Sequence, residues 1–88
     1  MRDLTVYEFH IYTATSDGVV SEDAQIERIP CFDEKSAKSA ARKFAAGDGI
    51  GPVDLARAGP APWADRYIGT AMRKWPDSKY RATQFDVL

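Results

Sequence analysis

The chain predicts an α+β fold: a single antiparallel β-sheet of four to five strands, ββα followed by further strands, with one amphipathic helix on one face. Three stretches carry that expectation. Residues 33–49 repeat small apolar side chains at helical spacing, while residues 4–15 and 80–87 alternate apolar and polar groups as a half-buried strand does.

The helix is the organising element. Ala37, Ala40, Ala41, Phe44 and Ala45 fall at i, i+3, i+4, i+7 and i+8, which places them on one face of a 3.6-residue helix. Asp33 is suited to cap the first turn, Glu34 to complement the positive end of the helix dipole, and Phe32 to act as a hydrophobic staple toward Ala37. Gly47 and Gly49 supply the stop, and Arg42 and Lys43 suit the carbonyl-rich last turn. A stripe made mostly of alanine allows close approach to a sheet, with Phe44 as the one large group entering its core.

Residues 4–15, LTVYEFHIYTAT, are β-branched and aromatic. Tyr7, Phe9 and Ile11 form the expected core side, and Glu8, His10 and Tyr12 the opposite side. Ser16, Asp17 and Gly18 make a turn, and a second strand returns through Val19 and Val20 and then Gln25 to Ile29. Ile26 and Ile29 cannot share a face without a bulge, and Pro30 belongs at an edge or strand end. After the helix, residues 53–58 read as a short strand, with one helical turn as the alternative.

Residues 63–75 support two structures. Trp63, Tyr67, Ile68, Ala71, Met72 and Trp75 make a helical stripe bounded by Pro62 and Pro76. Against it stand Gly69, Thr70 and the turn-like sequence from Trp75 to Tyr80, which favour a hairpin between two aromatics. The hairpin is the reading adopted, with the helix as its alternative.

Composition bounds the rest. Eighty-eight residues suit a single domain, residues 1–88, and a hydrophobic fraction of 44% supplies material for a core. No apolar run approaches the roughly 18 residues of a membrane span, and the first residues lack the layout of a signal peptide. The expectation is a soluble, cytoplasmic protein with no membrane partner. One cysteine and one histidine exclude an internal disulfide and a zinc set. His10 and Cys31 have no companion motif for catalysis, and residues 47–51, GDGIG, follow a helix where phosphate-binding loops precede one. No catalytic residue, cofactor or metal is expected, and the chain is read as a non-enzyme.

The net charge of −1 divides unevenly. Residues 1–34 hold eight acids against two arginines, a balance of −6, and residues 35–88 hold ten bases against five acids, a balance of +5. Two kinds of contact surface follow. Glu8, His10 and Tyr12 on the open strand face, with Asp17, Glu22, Asp23 and Glu27 on the acidic hairpin, form a candidate protein-binding surface. The alternative is a nucleic-acid-binding surface of Lys38 and Arg42 on the helix with Arg73, Lys74, Trp75, Lys79, Tyr80 and Arg81 on the C-terminal hairpin, where cations interleave with aromatics. An isoelectric point near 5.7 weighs against the second.

The layout of residues 4–51, a strand pair, the capped DEKSAKSAARKFA helix and a glycine-rich exit, resembles small proteins of phages and mobile elements, anti-CRISPR inhibitors among them. The resemblance covers about half of the chain and is architectural. It implies a non-enzymatic inhibitor that blocks a surface of a larger complex, and it assigns no functional residue.

Overall fold

The computed structural model describes residues 3–17, 19–73 and 82–86, with side chains through residue 72. Five strands form one antiparallel sheet: β1 (Thr5–Thr13), β2 (Gln25–Cys31), β3 (Ile50–Arg57), β4 (Tyr67–Arg73) and β5 (Ala82–Asp86). Their spatial order is β2-β1-β3-β4-β5. The long helix α1 (Glu34–Ala45) connects β2 to β3, and a single turn, α2 (Trp63–Arg66), precedes β4. This is the fold class expected from the sequence.

The cap of α1 forms as its residue types require. Asp33 is extended, and its Oδ1 accepts a hydrogen bond from the Ser36 backbone N–H at 2.8 Å. Ala37, Ala41 and Ala45 are completely buried against the sheet, and α1 lies over β3, β4 and β5. Phe44 packs its ring on Phe9 of β1 with centroids 5.4 Å apart. The core around this contact contains Tyr7, Phe9, Ile11, Val53, Leu55, Ile68 and Ala71. Phe32 remains 60% exposed, so the expected staple is not buried. Past the helix, Gly49 takes φ +73°, a left-handed conformation that lets the chain turn back into β3.

Strand β1 occupies the centre of the N-terminal half, paired on one side with β2 and on the other with β3. The β1–β2 register runs without a break from Thr5↔Cys31 to Ile11↔Gln25. The strand has no bulge, and Ile26 and Ile29 accordingly do not share a face. Ile29 is opposite Tyr7 on the α1 side, whereas Ile26 is opposite His10 on the other side and is 46% exposed. Pro30 lies on β2 at the sheet edge, where its missing N–H breaks no second ladder.

Pro52 is inside β3, an interior strand, and has a comparable explanation. The β1–β3 register shifts between Ile11 and Thr13, and the β3–β4 ladder begins at Val53↔Ala71. Proline therefore sits beside an irregularity rather than in continuous pairing.

Residues 63–73 resolve into parts of both sequence readings. Trp63–Arg66 is one helical turn after Pro62, and from Tyr67 the chain is strand, paired to β3 and then to β5. The loop expected from Trp75 to Tyr80 lies outside the described residues.

Candidate contact surfaces

Alternation along β1 turns Val6, Glu8, His10 and Tyr12 away from α1. The sequence reading left this face uncovered, and for part of it the structure differs. The segment leading from β3 to β4 crosses over it, because Glu8 and His10 hold that segment down. The Arg66 guanidinium reaches Glu8 Oε1 at 3.2 Å, and the Trp63 ring lies 4.6 Å from the His10 ring.

Glu8 is consequently an internal group. Its exposure is 7%, and it accepts from His10 Nε2 at 3.1 Å, Arg66 Nη1 at 3.2 Å and Arg28 Nε at 3.3 Å. The hydrogen bond from His10, followed by those from the two arginines, holds its carboxyl below the usual glutamate range against the opposing effect of burial. Arg66 also donates to the carbonyls of Ala61 at 2.7 Å and Arg57 at 3.0 Å, which fixes the path of the crossing segment. The expectation that Glu8 is presented to a partner is therefore corrected: three donors and the covering segment take up its carboxylate. His10 and Tyr12 are half-buried.

A second polar chain lies on the same face. Register places His10, Asp54 and Thr70 side by side across β1, β3 and β4. Thr70 donates its hydroxyl to Asp54 Oδ1 at 2.6 Å, and Tyr67 is hydrogen-bonded to Thr70. Because the threonine proton is directed at the carboxylate, the tyrosine hydroxyl donates to the threonine oxygen. Tyr67 in turn contacts Trp63, with centroids 5.7 Å apart.

The acidic residues of the N-terminal hairpin are arranged differently. Asp17, Glu22 and Asp23 are exposed in the connection between β1 and β2, with Asp17 accepting from the Thr15 hydroxyl. The connection is closed by Thr15 N–H to Val19 O and by Ser21 N–H to Thr13 O, each 2.9 Å. Glu27 is half-buried on the α1 side of β2, where Gln25 donates to it at 3.1 Å. Beside these acids are apolar groups that the sequence reading did not assign to a contact: Val19, Val20, Ile26 and Phe32 are all exposed. An apolar groove of about 250 Å³, lined by Ile29, Ala40, Lys43 and Phe44, runs between β2 and α1.

The alternative basic set is not assembled by the described residues. Lys38 pairs with Glu34 on the same helix at 3.5 Å, and Arg42 is exposed in the last turn of α1. Arg73 ends β4, and Lys74, Trp75, Lys79, Tyr80 and Arg81 lie outside the described residues.

The chain matches no known family model, curated protein or solved structure.

Cys31 and His10 do not form a nucleophile–base pair. Cys31 is opposite Thr5 on the α1 side of the sheet and His10 is on the other side. The Cys31 thiol is buried, and burial followed by the nearby Asp33 charge pushes its pKa up, opposite to what an activated nucleophile needs. Among the described residues no group of three or more His, Cys, Asp and Glu side chains could hold a metal ion, and no helix is long and apolar enough to cross a membrane.

Sequence reasoning did not select Arg66, Trp63, Asp54, Tyr67 or Thr70. Asp54 had a local signal, as the polar residue between Val53 and Leu55 in an alternating strand. Arg66, Trp63 and Thr70 are defined by partners in distant strands, and Tyr67 by its contacts with Trp63 and Thr70.

Proposed function

We propose that this chain is a small protein-binding module without enzymatic activity, engaging its partner through the outer edge of β2 and the acidic hairpin that leads into it. The observation that carries this reading is the combination of an open strand edge with exposed apolar groups. β2 pairs with β1 on one side only, Ile26 is exposed on the strand, and Val19, Val20 and Phe32 are exposed at its two approaches.

An edge strand can accept a partner strand through main-chain hydrogen bonds, while the flanking side chains select the partner. Asp17, Glu22 and Asp23 add a negative rim that favours a basic protein surface and speeds encounter with it. Arg28 and Pro30 limit main-chain pairing at this edge, whether with a second copy or a partner, so the exposed apolar groups and the acidic rim carry much of the contact. In its most concrete form the module is an inhibitor of the phage type, anti-CRISPR proteins being the pattern. It would act by occupying a surface of a larger complex, which is consistent with a binding surface made of backbone, apolar groups and fixed charge.

The test is affinity capture from a host lysate, with wild-type bait beside an edge variant, Ile26→Lys with Phe32→Ser, whose fold is verified by circular dichroism. Reproducible enrichment of one complex by the wild type, lost in the variant, supports the assignment. Equal capture by both baits removes the β2 edge, and failure of folded wild-type bait to enrich any complex counts against protein binding.

A further inference from the structure

We propose that the sheet face opposite α1 carries a second contact site, centred on Asp54, that receives an arginine side chain of the partner protein. This rests on the protein-binding reading above and adds the chemistry of a group the partner must present.

The first argument is the distribution of charge. Two carboxylates occupy neighbouring positions on this face, Glu8 on β1 and Asp54 on β3, and their surroundings are opposite. The guanidinium groups of Arg28 and Arg66 and the ring of His10 all converge on Glu8. Asp54 is half-buried and receives one hydroxyl hydrogen bond, to Oδ1 from Thr70, and among the described residues it has no cationic partner. A half-buried carboxylate satisfied at one oxygen favours an incoming donor that also carries positive charge.

The second argument is the wall beside it. His10, next to Asp54 in the β1–β3 register, contacts Trp63, which contacts Tyr67, which is bonded to Thr70 and through it to Asp54. This chain of contacts runs from the Trp63 and Tyr67 rings through Thr70 to the carboxylate and is in place without a ligand. Trp63 remains 37% exposed. Aromatic faces beside a carboxylate suit a guanidinium, which is planar, weakly hydrated and able to stack while its edge bonds an oxygen. The fold already contains one such pairing, with the Arg66 guanidinium 5.6 Å from the Trp63 ring centroid.

The third argument is distance. Asp54 is two strands in from the β2 edge, about 10 Å at ordinary strand spacing. A partner strand added outside β2 would be about 14 Å from β3, so the arginine comes from a part of the partner that overhangs this face.

The probe is the peptide acetyl-Gly-Arg-Gly-amide, compared with the same peptide carrying citrulline, the neutral isostere, or lysine. Binding is followed by the Trp63 indole N–H resonance, assigned with Trp63→Phe, in about 0.15 M salt, where attraction between exposed charges is screened over about 8 Å. Saturable shifts with the arginine peptide are expected, at least tenfold weaker with citrulline and at least threefold weaker with lysine. Asp54→Asn keeps an acceptor for Thr70 and should weaken the arginine peptide at least fivefold, while Asp3→Asn, an exposed carboxylate ahead of β1, leaves it unchanged. Equal affinity for citrulline or lysine, equal affinity in Asp54→Asn, or an equal loss in Asp3→Asn overturns the site. The probe does not use the β2 edge, so its failure leaves the edge assignment standing, and loss of the edge assignment in lysate capture leaves this test intact.

Discussion

Replacing Glu8 by glutamine should remove the clasp between β1 and the segment that crosses it, with a cost that can be worked from its contacts. Arg28 is largely exposed, so its pair contributes at most about 1 kcal/mol. His10 and Arg66 make part-buried hydrogen bonds to the charge, of a kind worth about 1.5–3 kcal/mol each. Arg66 keeps its two carbonyl acceptors after the change, which brings the expected total to about 3 kcal/mol at neutral pH. At about 4–8 °C per kcal/mol for a domain of this size, the thermal midpoint should fall by roughly 12–24 °C.

The same contacts fix the direction of the pH dependence. Glu8 is held below the ordinary glutamate range in the folded state, so its contribution is complete above about pH 4.3, the unfolded value, and drains away as pH falls through the folded one. Urea denaturation followed by circular dichroism from pH 7 to pH 3 should show wild type and Glu8→Gln converging at the acid end. A penalty below about 1 kcal/mol at pH 7, or two curves that stay parallel throughout, would refute the assignment of Glu8 as a charged clasp.

Other outcomes follow from the same structure. Asp33→Ala, which deletes the cap on Ser36, should cost about 1 kcal/mol in urea denaturation. Ala41→Leu forces extra volume into a completely buried contact and should destabilise by about 2 kcal/mol, although leucine is a good helix former. Cys31 should resist alkylation by iodoacetamide at pH 7 in the folded protein and react readily in urea, because its thiol is buried and its pKa is raised. Titration with single- and double-stranded nucleic acid at two salt concentrations should give no salt-sensitive binding, and clear binding at low salt would favour the basic alternative.

The elements legible in the sequence are those whose causes are local. The Asp33 cap, the alanine spacing and the alternation of Tyr7, Phe9 and Ile11 act within a few residues, and the structure reproduces all three. Ile26 and Ile29, which could share a face only through a bulge, take opposite faces in the unbroken β2 register, and residues 21–24 lie outside the strand. Alternation restarts at Gln25, and Ile26 points outward. Residues 63–75 resisted a single assignment because they contain both a helical turn, favoured by Pro62 and the Trp63 to Tyr67 spacing, and a strand that begins at Tyr67. The polar clusters were illegible for a different reason. Glu8 meets donors 20 and 58 residues away, and Asp54 meets Thr70 16 residues away, so each contact depends on a register that no local pattern encodes.

The strand order also governs how the sheet can be assembled during synthesis. β1 and β2 form a local hairpin, and after α1 each new strand is laid beside its immediate predecessor in the sheet or, for β3, beside the free side of β1. Growth from that point proceeds outward in one direction, in the order in which the ribosome delivers the chain. No strand has to be inserted between two that are already paired. A chain truncated after β3 would present the completely buried Val53 and Leu55 on a strand with one side unpaired, and pairing with β4 removes that open edge.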